Sequence, residues 1–110
     1  MLAPTILSVV TLEAAAPING VVLPVAAGVR CLVYGFTITD SVGGTLKLFF
    51  GADTPAKAIA NVGAAPNGGA ALTFARGSAV MGGPGEDVLV TSPGDCHVTV
   101  YYTLQPEAYG

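Results

Sequence analysis

The chain has no tryptophan, one histidine (His97), two cysteines (Cys31 and Cys96), and charge on only 10% of its 110 residues. Each scarcity excludes something. Four Lys and Arg against seven Asp and Glu give a net charge of −3, so there is no basic footprint for phosphates and no nucleic-acid partner is expected. A metal centre draws on clustered His, Cys and carboxylate ligands at short spacings. One imidazole, two thiols and scattered acids supply no such spacing, and no metal or cofactor is expected. Pro17, Asn19, Gly20, Pro24 and Gly28 interrupt the apolar stretches, so none reaches the roughly twenty residues that a membrane-crossing helix needs. The opening MLAPTILSVVTLEAAA lacks a basic leading region and carries Glu13 inside its apolar part. It is therefore expected to belong to the mature protein rather than to a secretion signal.

The same scarcities bear on catalysis. His97 is the one candidate base, and its neighbour Cys96 points to the opposite face of any strand that holds both, so the adjacent pair forms no dyad. Glu86 and Asp87 in GGPGED are candidates for a calcium loop, but they read more simply as solvated acids at the rim of a tight turn. No catalytic residue is assigned, and the chain is expected not to be an enzyme.

What is present is apolar and punctuated. Hydrophobic residues make up 52% of the sequence, with fifteen Gly and eight Pro, and the segments between turn signals are rich in Val, Thr, Ile, Leu, Phe and Tyr. That texture predicts many short strands joined by turns: Thr5–Leu12, Val21–Val25, Arg30–Thr39, Thr45–Phe50, Ala71–Phe74, Asp87–Ser92 and Cys96–Leu104. Pro55–Val62 reads as a two-turn helix or equally as a strand. Without helices alternating with strands, a parallel α/β sheet is excluded. The expectation is a single all-β domain over residues 1–110, an antiparallel β-sandwich of Greek-key or jelly-roll type with about seven or eight strands.

Alternation assigns faces. In Arg30–Thr39 it places Leu32, Tyr34, Phe36 and Ile38 in the core, and Cys31, Val33, Gly35, Thr37 and Thr39 outside. In Thr45–Phe50 the core side is Leu46, Leu48 and Phe50, with Phe49 opposite, and the Asp40–Gly44 link predicts a hairpin between these two strands. In the last strand Cys96, Val98, Val100, Tyr102 and Leu104 face inward, and His97, Thr99, Tyr101 and Thr103 outward. Cys31 and Cys96 thus fall on opposing faces. Free buried thiols are expected unless a bulge inverts one strand's phase and permits a disulfide, and free thiols suit synthesis in a reducing cytoplasm.

The first strand is apolar on both sides, with Ile6, Val10 and Leu12 on one and Leu7 and Val9 on the other. Residues 1–15 are accordingly read as a candidate N-terminal arm or, equally, as carrying a well-buried first strand. So little charge also suits a protein that buries part of its exterior against copies of itself or a partner. The candidate partner-binding residues are Thr5, Ile6, Leu7, Val9, Val10 and Leu12, with Tyr101 and Thr103 from the last strand.

The stretches VRCLVYGFTITDSVGGTLKLFFGAD, PNGGAALTFARG and GEDVLVTSPGDCHVTVYYTL, spanning about residues 30–104, resemble small virion proteins of tailed bacteriophages. The resemblance implies a β-sandwich module on the capsid exterior, made in the host cytoplasm. Such a module cements the shell by binding across subunits of the major capsid protein or another virion protein, commonly as a trimer. It carries over no catalytic motif. A receptor- or carbohydrate-binding module of a tail fibre is the alternative, with Ala64–Gly69 and Gly82–Asp87 as ligand loops at one end of the sandwich. A third reading, an immunoglobulin-like adhesion domain, requires Cys31 and Cys96 to be bridged.

Overall fold

A computed structural model describes residues 8–73 and 79–106. Nine strands follow in order: β1 (Ser8–Ala14), β2 (Gly20–Leu23), β3 (Val29–Asp40), β4 (Gly44–Phe50), β5 (Ala58–Ala64), β6 (Gly68–Thr73), β7 (Val80–Met81), β8 (Val88–Thr91) and β9 (Cys96–Pro106). Every pairing is antiparallel. One sheet, sheet A, has the order β1-β9-β3-β6, with β7 also on β3; the other, sheet B, has the order β2-β8-β4-β5. Pairing β1 and β2 with β9 and β8 while β3 and β4 meet β6 and β5 is the strand order of a jelly roll, two Greek keys wound into a sandwich. The expected all-β antiparallel sandwich is the observed fold, with nine strands where seven or eight were expected.

The core lies between the sheets. Val33, Leu46, Leu48, Val88, Val90, Val98 and Val100 are wholly buried there, joined by Phe36, Ile38 and Phe50. Burying each such side chain contributes roughly 1.5–3 kcal/mol. Phe49 is buried as well, but outside this cluster. It points away from the core, as alternation predicts, and lines a recess with Asp53, Thr54 and Pro55 from the loop after β4.

Local readings of the sequence needed several corrections. For Pro55–Val62, read as helix or equally as strand, the strand alternative is the observed one from Ala58 on, after a single 3-10 turn at Pro55–Lys57, as the β-branched Ile59 and Val62 favour. Strand β7 was not anticipated, and two residues are too few to show alternation. Phe74, the expected end of one strand, lies outside the described residues.

The face assignment in β3 is half reversed. Val33 pairs with Tyr102 and Gly35 with Tyr101, so Tyr34 is an extra residue, a β-bulge. Beyond it Phe36 and Ile38 face inward as expected; before it Cys31 and Val33 are the buried residues, and Leu32 turns outward. Leu104 is expected inside but is 48% exposed, although Cys31, its partner on β3, is buried.

The largest correction concerns Asp40–Gly44. It is not a hairpin: β3 belongs to sheet A and β4 to sheet B, so the chain crosses the sandwich here. The cause is the Asp40 side chain, 2% exposed. One carboxylate oxygen accepts the backbone N–H groups of Val42 and Gly43, both at 2.8 Å. The other accepts the N–H of Gly94 at 3.0 Å and the hydroxyl of Ser92. Ser92 and Gly94 flank the crossing from β8 to β9, so one carboxylate ties two crossings together. Gly43 and Gly44, at φ of 82° and 121°, supply backbone conformations that a side chain disfavours. Burial tends to raise the Asp40 pKa, but the hydrogen bonds from Ser92, Gly43, Val42 and Gly94 outweigh it and hold the carboxyl below its ordinary value.

Replacing Asp40→Asn turns an amide N–H toward donors that now meet a carboxylate, and should cost on the order of 2–3 kcal/mol in urea unfolding. Because the folded pKa is depressed, Asp40's contribution is complete above its unfolded value of about 3.9 and is lost as pH falls through the folded one. Wild-type stability should therefore fall more steeply than that of Asp40→Asn below about pH 4, and equal slopes would contradict the assignment. Deleting Tyr34 closes the bulge without changing which residues face inward, so cooperative unfolding by circular dichroism should survive. Deleting Thr39 instead makes Ile38 and Asp40 adjacent, so that the two can no longer both face inward, and the cooperative transition should be lost.

Candidate interaction surface

Pairing register turns the outer face of sheet A into rows that run across strands. Val9 on β1 lies opposite Tyr101 on β9, then Gly35 and Thr73; Thr11 opposite Thr99, then Thr37 and Ala71; Glu13 opposite His97, then Thr39 and Gly69. A further row holds Thr103, Leu32 and Met81. The face grades from apolar at the Met81 and Val9 end, where these two are 52% and 56% exposed, through a threonine band to an acid and an imidazole. In the band the Thr11 and Thr99 hydroxyls are 3.3 Å apart and hydrogen-bonded, a pairing that stabilises adjacent strands. No described residue on this face belongs to the buried core.

Of the candidate partner-binding residues, Val9 and Tyr101 are brought side by side on this face, with Thr103 near them. Val10 and Leu12 lie on the other side of β1 and pack, partly buried, against the core. Thr5, Ile6 and Leu7 lie outside the described residues. The part of the arm that is described, from Ser8 onward, is a strand of the sandwich itself, paired through seven residues with β9.

Sequence reasoning missed the row through His97. Its Nδ1 lies 3.0 Å from Glu13 Oε1, with Thr39 as its neighbour on the other side. Acid, imidazole and hydroxyl in line is the order used in nucleophilic catalysis. Here the His97 and Glu13 side chains are 49% and 75% exposed, on the rim of an open depression of about 610 Å³. The row is an exposed acid–imidazole contact in line with a threonine. The signal was the recurrence of polar residues at alternate positions of Thr11–Glu13, Thr37–Thr39 and His97–Thr99, which becomes a row only once the register is known.

The acids expected at a loop rim are dispersed. Glu86 binds Lys57 at 2.6 Å and accepts the Gly83 N–H; the Lys57 contact, against the opposing effect of burial, is the main reason its carboxyl sits below the usual range. Asp87 accepts the Val25 N–H at 2.7 Å, and Asp53 pairs with Lys47 at 3.1 Å. The two loops proposed for ligand binding also separate. Pro66 and Ala65 lie against Gly43 beside Asp40, whereas Gly85 bonds to Val29 at the other end of β3.

Cys31 and Cys96 are both buried and free. The bulge does bring both onto the inward side, yet Cys31 pairs with Leu104 and Cys96 with Asp40. Nine residues of β3 separate those levels, roughly 30 Å, far beyond the reach of a disulfide. Burial pushes the Cys31 thiol up to about 12. Burial, and next the Asp40 charge, raise that of Cys96.

Comparison of the chain with protein-family models, curated proteins and solved structures finds no match.

Since the thiolate is the reactive form, native protein at pH 8 should resist iodoacetamide, and intact mass should gain two adducts only after denaturation. Rapid labelling of either thiol in the folded state would contradict the burial of that cysteine.

Proposed function

We propose that the chain is a non-catalytic virion structural protein that works by binding: a capsid decoration or cement protein, held on the particle exterior through sheet A. The observation that carries this reading is the outer face of sheet A, where Val9, Tyr101, Thr103, Leu32 and Met81 lie beside a threonine band that runs to the edge strand β1. Such a face offers apolar area and hydroxyls with little charge to desolvate, which suits a permanent contact with another protein better than a transient one. The free edge of β1 adds backbone donors and acceptors for strand addition. A protein that binds only the assembled shell stabilises that shell by mass action. Jelly rolls recur in viral capsid proteins and in lectins, which is agreement at the level of fold alone.

The tail-fibre reading is the weaker one. It relied on Ala64–Gly69 and Gly82–Asp87 sharing one end of the sandwich, and these loops flank opposite ends of β3.

The test uses particles from the source of the sequence. Mass spectrometry of purified virions should find the chain in many copies, and particles stripped of it should regain heat resistance when the purified protein is added back. Its absence from virions would sink the proposal, and hits on a glycan array would favour the fibre module.

A further inference from the structure

We infer that the edge occupant of β1 is a second copy of this chain, joined antiparallel about a two-fold axis at Thr11. This rests on the reading of β1 as a contact strand and names its partner.

A sheet edge exposes unpaired N–H and C=O groups, and proteins ordinarily guard such edges with prolines, bulges, charges or very short strands. Two edges here are guarded. Strand β2 has four residues, a register shift, and Pro17 and Pro24 close to its ends. Strand β5 carries a shift that leaves Ile59 unpaired against β4. The other edge of sheet A is β6, six uncharged residues in unbroken register with β3, continued by the two-residue β7. Strand β1 has none of these devices: seven residues, an unbroken register, no proline and a single charge, Glu13.

The sequence SVVTLEA pairs with itself over its whole length in one register. Centring the axis on Thr11 pairs all seven residues: Ser8 with Ala14, Val9 with Glu13, Val10 with Leu12, and Thr11 with Thr11. Residues facing inward then meet residues facing inward, so the half-buried Val10 and Leu12 of each copy cover one another and carry the core across the join. On the outer face each Glu13 meets Val9 of the other copy. Centring on Glu13 would set two carboxylates opposite each other, which destabilises a ladder; centring on Val9 would pair only Ser8–Val10 of the described strand. The product is one continuous sheet with the threonine band running through it, a closed pair with isologous contacts rather than the trimer that the virion resemblance implies.

Sedimentation of the full chain should give the mass of two copies. Thr11→Cys sets two thiols opposite each other across the axis, within disulfide reach, and should yield a reducible covalent dimer on oxidation; Val9→Cys alone, facing Glu13, should not. The buried native thiols give no background. Thr11→Lys, on an exposed position, should sediment as a single copy with an unchanged circular dichroism spectrum. If Thr11→Cys fails to fold, the double variant Val9→Cys with Glu13→Cys should cross-link instead. A monomeric or trimeric wild type, a Thr11→Lys protein that stays paired, or cross-linking through Val9→Cys alone would overturn the inference. Paired protein that does not bind virions would refute the proposed setting and leave the pairing intact. A monomer that does bind them would do the reverse.

Discussion

The Asp40 carboxylate is the constraint on which the rest of the sandwich turns. A jelly roll requires its chain to pass repeatedly between sheets, and each passage leaves backbone N–H groups that no ladder satisfies. Four such crossings, after β1, β3, β5 and β8, gather at the Asp40 end. Val42 and Gly43 from one and Gly94 and Ser92 from another converge on the two oxygens of a single buried side chain. The neighbours are fastened to the same knot by backbone: Ala16 donates to the Gly94 carbonyl, and Ser92 donates to that of Pro17. The small residues follow from this crowding. A β-carbon at Gly94 would stand 2.5 Å from the Val42 side chain, and one at Gly43 2.7 Å from the Ala65 backbone. An ionised group in such a place is tolerable because every donor it meets compensates for lost water.

Much of the architecture was legible because it depends on period and punctuation. Residues that alternate, such as Val98 and Val100 against His97 and Thr99, declare a half-buried strand wherever they occur, and glycine and proline mark where strands stop. What was not legible depended on insertion or on partners distant in sequence. Tyr34 looks like a core residue because alternation counts from Phe36 and Ile38, and nothing local announces that one residue is extra. The result was to set Cys31 and Val33 on the wrong side. Asp40 looks like the first residue of a hairpin turn because Asp-Ser-Val-Gly-Gly suits one; its second set of donors comes from Ser92 and Gly94, over fifty residues later. The Glu13 and His97 pair was hidden for the same reason, since a row across strands has no signature in any one strand.

The candidate surface was partly legible. Tyr101 and Thr103 were assigned outward by alternation alone, and they are on the outer face. Val9 was chosen because its strand is apolar on both sides, and that pattern has two physical sources here: Val10 and Leu12 serve the core, and Val9 serves the outer face. Leu32 and Met81 complete the apolar end of that face but were missed, the first because of the bulge and the second because β7 is too short to read.

Low charge and an unguarded edge are hard to reconcile with a solitary monomer. Of the means by which proteins keep sheet edges from pairing, β1 retains one carboxylate, and Glu13 is itself engaged with His97. Left bare, such a strand is a template for open-ended association, because anything that pairs with it presents a further edge. A two-fold join closes that edge: each copy uses on the other β1, which with seven residues in unbroken register is the longest unshifted edge strand among the described residues. The composition that first suggested burial against a partner and the strand that lacks protection are then two aspects of one solution, in which the edge is closed by pairing and the threonine-lined face stays open for a different contact.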